Sequence, residues 1–155
     1  MKQYIGTKII KAKPGTMAEA QALKGGMPID QAKRMFRNSG TVDKEGYVVE
    51  YEDGYVSWSP AEAFEKAYRQ CDNMTFGLAI EALKKGLKVA RKGWNGKGMY
   101  LFLGCGEDIQ KCTGIEDRCV DVICMKTAQD TVVFGWLASQ TDMLAEDWIL
   151  VKEET

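Results

Sequence analysis

Apolar positions along the chain change their spacing several times, and each change marks an element. Residues 4–11 alternate apolar and polar side chains, the period-two signature of a strand, and Pro14-Gly15 closes it. Residues 17–24 and 28–37 are rich in Ala, Gln, Lys and Met and predict two short helices, separated by Gly25-Gly26. The runs 47–51 and 55–58 flank Asp53-Gly54, whose tolerance of positive φ suits a tight hairpin. Ser59-Pro60-Ala61-Glu62 then predicts a capping box, with Ser59 as N-cap, Pro60 at the first helical position and Glu62 reaching back. The helix it opens extends to about Gln70, with Ala61, Phe64 and Tyr68 on one stripe.

A second series of signals follows. Thr75 is an N-cap candidate, and Phe76, Ala79, Ile80, Leu83 and Leu87 recur at helical spacing until Gly86 supplies a left-handed end. Residues 88–91 predict a short strand. The glycine-rich turn 93–98 leads into a buried strand over 99–103, and 104–119 forms a polar loop. Residues 120–125 and 132–136 predict a hairpin around Gln129-Asp130, 139–144 a short turn or helix, and 148–151 a last strand. The predicted fold class is α+β. A small α+β module with an aromatic hairpin spans 1–72. A helix followed by a mostly antiparallel sheet spans 73–155, the two joined near Cys71-Asp72-Asn73.

Composition narrows the function classes. The chain has 155 residues, 45% of them hydrophobic, enough to fold around a core. A formal charge of −1 argues against a DNA or RNA polymer as partner, which calls for clustered Lys and Arg. No apolar run suggests a membrane span, and the N-terminus lacks an export signal, so a cytoplasmic protein is expected. Five cysteines include the series Cys105, Cys112, Cys119 and Cys124, spaced C-x6-C-x6-C-x4-C. Zinc sites use tighter pairs, so reduced thiols and no metal or cofactor are expected. The chain has no histidine, which removes the commonest general base near neutral pH and argues against an enzyme.

Two constellations carry candidate chemistry. In Arg91-Lys92-Gly93-Trp94-Asn95-Gly96-Lys97-Gly98, the glycines let backbone approach a ligand, and Trp94 offers a face for a base. Arg91 suits a phosphate, and Asn95 a ribose hydroxyl or base edge. Equally, this is a glycine-rich turn with Trp94 plugging the core, and spacing alone favours that version. In Trp136-Leu137-Ala138-Ser139-Gln140-Thr141-Asp142-Met143-Leu144-Ala145-Glu146-Asp147-Trp148, Ser139 and Thr141 are phosphate donors, and Asp142 or Asp147 accepts from hydroxyls or an amine. The alternative is that Ser139 caps a turn, Asp142 satisfies backbone amides, and Trp136 and Trp148 belong to the core. Tyr47, Tyr51, Tyr55 and Trp58 form either cross-strand packing or a partner-binding face.

These two constellations, together with Met74-Thr75-Phe76-Gly77-Leu78-Ala79, resemble the Thoeris anti-defence 2 family over about residues 74–151. The resemblance implies a phage-encoded sponge that holds a cyclic nucleotide immune signal without cleaving it. The signals are the glycocyclic ADP-ribose of Thoeris and, for some members, cyclic dinucleotides of CBASS in separate pockets. It implies a homotetramer with pockets where subunits meet. Arg91, Trp94, Asn95, Thr141 and Asp142 are then expected at a pocket, with Phe76 and Trp148 as further members. The cysteine-bearing loop 104–119 and the first 72 residues depart from the family's pattern. The alternatives are a phage structural or protein-interaction module, or an enzyme that degrades a nucleotide signal.

Overall fold

The computed structural model describes residues 1, 3, 7–37 and 44–152. Their contacts divide the chain into two compact units, Met1–Tyr68 and Arg69–Thr155.

In the first unit, β1 (Lys11–Pro14) precedes α1 (Met17–Gly25) and α2 (Ile29–Phe36), and β2 (Gly46–Glu50) and β3 (Val56–Pro60) form the aromatic hairpin before α3 (Ala61–Ala67). The three strands make one antiparallel sheet in the order β1-β2-β3. The expected first strand lies further along than residues 4–11; of that stretch, 4–6 fall outside the described residues. Pro14 is the strand's last residue rather than its terminator. It is tolerated because β1 is an edge strand and needs no further donor there. The hairpin turns at Gly54, with φ +80°, as Asp53-Gly54 predicts. Val48 and Val49 bury their side chains, and Trp58 donates its indole N–H to the Gly15 carbonyl at 3.0 Å.

The predicted capping box at Ser59 is not formed. Ser59 and Pro60 remain in β3, paired with Tyr47 and Gly46, and α3 starts after Pro60 without a side-chain cap. Strand pairing takes the backbone that an N-cap would need. The helix ends at Ala67, short of Gln70, and Phe64 stacks between Tyr47 and Tyr68 at centroid distances of 4.1 and 4.8 Å. A capping box does form at α1, where Thr16 and Glu19 exchange hydrogen bonds.

In the second unit, α4 (Phe76–Lys84) is capped by the Thr75 hydroxyl, and Gly86 takes the left-handed conformation after it. Then come β4 (Val89–Arg91), β5 (Tyr100–Gly104), α5 (Gly106–Thr113), β6 (Val122–Lys126), β7 (Val132–Phe134), α6 (Gln140–Met143) and β8 (Trp148–Leu150). The strands form one antiparallel sheet in the order β7-β6-β5-β4-β8. Helix plus antiparallel sheet in both units makes the protein α+β. The expected polar loop at 104–119 holds a helix, α5, closed by Gly114 in the left-handed region. Below α4, Ala79, Ala82, Leu83, Val89, Leu101 and Trp148 make the core, with Met74 bridging to Trp148 through the backbone. No helix among the described residues is long and apolar enough to cross a membrane.

Candidate functional site

Residue order in β4 and β8 brings the two constellations together. The strands pair antiparallel with Arg91 opposite Trp148, so the turn leaving β4 lies beside the segment entering β8. Arg91 Nη1 donates to Asp142 Oδ1 at 2.8 Å and Nε donates to Asp147 Oδ1 at 2.8 Å. The arginine side chain is 14% exposed, Asp142 13% and Asp147 31%, so both ion pairs are largely withdrawn from water. The Trp94 indole N–H donates to the same Asp142 oxygen at 3.3 Å, and the Gly93 amide donates to Asp147 Oδ2 at 2.8 Å. A Cβ at residue 93 would stand 2.9 Å from that oxygen, so a larger residue there would displace the Asp147 carboxylate.

Asp142 is tied from its other side as well. Ser139 is the N-cap of α6: its hydroxyl accepts from the Asp142 amide and donates to Asp142 Oδ2 at 2.6 Å, and its own amide donates to the same oxygen. The Trp148 indole donates to the Asp142 carbonyl at 3.0 Å. Burial pushes the Asp142 carboxyl up, but hydrogen bonds from Ser139, Arg91 and Trp94 together outweigh it and hold it below the ordinary range. The Arg91 bond does the same for Asp147, against a smaller effect of burial. Their carboxylates in turn raise Arg91 above its usual value. The cluster is permanently ionised near neutrality, one cation against two anions.

Aromatic rings complete the unit. Trp94, Trp136 and Trp148 meet edge to face at 5.5–6.3 Å, and Phe76 lies 5.4 Å from Trp148. Trp148 is fully buried, whereas Trp94, Trp136 and Phe76 are half-buried against the core. Thus the structure joins Arg91, Trp94, Asp142 and Trp148 by hydrogen bonds and adds Phe76 by ring contact. Asn95 and Thr141 are exposed, each one residue beyond a member of the network, and meet no hydrogen-bond partner among the described residues.

This arrangement is a hydrogen-bonded scaffold flanked by polar groups that it does not use. Arg91 has its fork occupied by two carboxylates, so it orients the turn rather than offering a vacant phosphate clamp. Lys92 is turned to Asn73, and Lys97 meets no carboxylate among the described residues. Asp147, weighed from the sequence only as an alternative to Asp142 for accepting from ligand hydroxyls or an amine, holds both Arg91 and the Gly93 amide. Its signal was its place in Glu146-Asp147-Trp148, immediately before the strand that pairs with β4.

Comparison with known proteins bears on this unit. Residues 74–151 match the model of the Thoeris anti-defense 2-like domain, about half of the chain and nearly all of the second unit. The chain belongs to the Thoeris anti-defense 2-like family. A family relative, Thoeris anti-defense 2 of Bacillus phage SP01, is 44% identical over 85 residues, which cover 50% of this chain and 94% of the relative. Both blocks of the network, 91–94 and 139–148, lie inside the matched region, as do α5 and the cysteines at 105, 112, 119 and 124. All five cysteines are free thiols; burial pushes Cys124 and Cys71 up, so neither is primed as a nucleophile.

Proposed function

We propose that this protein is a phage anti-defence sponge, which binds a cyclic nucleotide immune signal in the host bacterial cytosol and keeps it from its effector without cleaving it. The observation that carries the proposal is the family match over the second unit, with a relative whose printed name is Thoeris anti-defense 2. The signal we assign is glycocyclic ADP-ribose of Thoeris, with cyclic dinucleotides of CBASS as further ligands.

The site chemistry fits capture better than turnover. Asp142 is held ionised by Ser139, Arg91 and Trp94, and Asp147 chiefly by Arg91, which makes them poor proton donors, and no histidine is present to act in their place. Asn95 and Thr141 remain free to meet ligand hydroxyls or phosphate oxygens, and Lys97 supplies a cation. Trp94 contributes whatever face the core leaves open. Arg91, Asp142, Phe76 and Trp148 support that surface from behind.

We place the complete pocket where copies of the chain meet, in a homotetramer. Support comes from side chains that a lone chain leaves in water. Phe134 is 63% exposed, Leu137 89% and Leu144 81%, alongside exposed Val132 and Val133 of the sheet-edge strand β7. Large apolar side chains left exposed in this way suit an interaction face. The same surface is the observation that favours the second reading, a protein-interaction module of the phage.

Calorimetry of the chain with glycocyclic ADP-ribose separates the readings. The sponge requires tight saturable binding and intact ligand recovered after heating. Cleaved ligand means an enzyme, and no heat from this signal or from cyclic dinucleotides means an interaction module.

A further inference from the structure

The first unit lies outside the region matched to the family, and it holds a cavity of about 370 Å³ between α1, β3 and Phe36 at the end of α2. That volume lies within the range of small-ligand sites, roughly 300–1,000 Å³. We propose that it is a binding site for a small molecule with a flat apolar body and a single carboxylate group, independent of the nucleotide site.

The walls set the body of the ligand. Trp58, Phe36 and Met17 line the cavity, and Trp58 has its indole N–H already donated to the Gly15 carbonyl, so its ring is fixed and offers apolar surface. Fixed aromatic walls favour a planar partner, which stacks in offset or edge geometry. The polar groups set the ligand's head. Lys24, Gln21 and Ser57 line the same cavity, and none of their side chains has a hydrogen-bond or ion-pair partner among the described residues. The Lys24 ammonium stands 4.8 Å from the centroid of the Tyr55 ring, which holds a cation without neutralising it. Among the described residues the lining includes no carboxylate. One unneutralised ammonium, beside an amide and a hydroxyl that both accept and donate, is complementary to one carboxylate.

The test uses the full chain and 2-naphthoate as probe, with affinity read by calorimetry and ligand-observed NMR, and folding of each variant by circular dichroism. We expect saturable one-to-one binding. Lys24→Met should weaken it about tenfold, the scale of one charge-assisted hydrogen bond. The neutral isostere 2-naphthamide should bind the parent about tenfold more weakly and be indifferent to Lys24→Met. Gln21→Trp should abolish binding by filling the cavity. Absence of saturable binding to the folded parent overturns the proposal, as does an affinity that folded Lys24→Met leaves unchanged. If Gln21→Trp fails to fold, Lys24→Met and the amide comparison still decide.

Discussion

Arg91 decides how the candidate site is built. It spans two carboxylates that belong to the other constellation, so removing its fork leaves both Asp142 and Asp147 without their cation. Arg91→Lys keeps the charge but cannot reach both acids in the same geometry. It should lower the stability of the second unit by about 2–3 kcal/mol, somewhat below the cost of breaking a fully buried pair. Urea unfolding followed by tryptophan fluorescence would show it; an unchanged midpoint would mean that the pairs contribute nothing. Trp94 separates two effects. Trp94→Phe keeps the ring contacts and loses only the bond to Asp142, a cost of about 1 kcal/mol. Trp94→Ala empties part of the tryptophan cluster and should cost about 3 kcal/mol. The core-plug alternative weighed from spacing is therefore partly right: the ring packs on the core and its N–H is spent on Asp142. What spacing did not show was the shared carboxylate, because Trp94 and Asp142 are 48 residues apart.

The two aspartates also set a pH dependence. Both have folded values below the unfolded one of about 3.9. Their contribution is fully present above that unfolded value and is lost as pH falls through the lowered folded values. Stability measured by urea at pH values from about 5 down to 2 should fall less steeply in Asp142→Asn/Asp147→Asn than in the parent. An equal slope would show that other groups govern acid unfolding.

At the scale of elements, caps show why some features were legible and others not. Thr75 was readable because a hydroxyl residue precedes a long apolar stripe, and the structure forms that cap. Ser59 carried the same local chemistry, yet β2 claims its backbone, and pairing partners 12 residues away are invisible in a four-residue motif. Thr16→Ala should therefore cost about 1 kcal/mol by removing a formed capping box, whereas Ser59→Ala should stay within about 0.5 kcal/mol. Thermal unfolding of the two variants would check this; equal losses would restore the predicted cap. Helix α5 escaped prediction for a different reason. Gly106-Glu107-Asp108-Ile109-Gln110-Lys111-Cys112-Thr113 is two turns of mostly polar residues, too short for an apolar period to emerge. Its placement depends on Gly106, whose amide bonds Asp121 at 2.9 Å, a long-range feature that local pattern does not contain.

At the scale of the whole molecule, α+β class and the order of strands in the second half were legible because turn residues separate alternating runs. The sheet order β7-β6-β5-β4-β8 was not, since β8 reaches β4 across the intervening strands. The relative from Bacillus phage SP01 is covered almost entirely by the matched half of this chain. A fragment comprising residues 69–155 should therefore fold by itself and retain the affinity of the full chain for glycocyclic ADP-ribose, while 1–68 binds none. Loss of binding in a folded 69–155 fragment would assign the first unit a part in the nucleotide site.

Capture without turnover is decided by calorimetry of the full chain with glycocyclic ADP-ribose, followed by heating and chromatography of the released ligand. Competition with a nanomolar effector needs a binding free energy of about −12 kcal/mol. Saturable binding at that strength and quantitative recovery of unchanged ligand are expected of a sponge. Absence of binding, or recovery of a cleaved product, would contradict it.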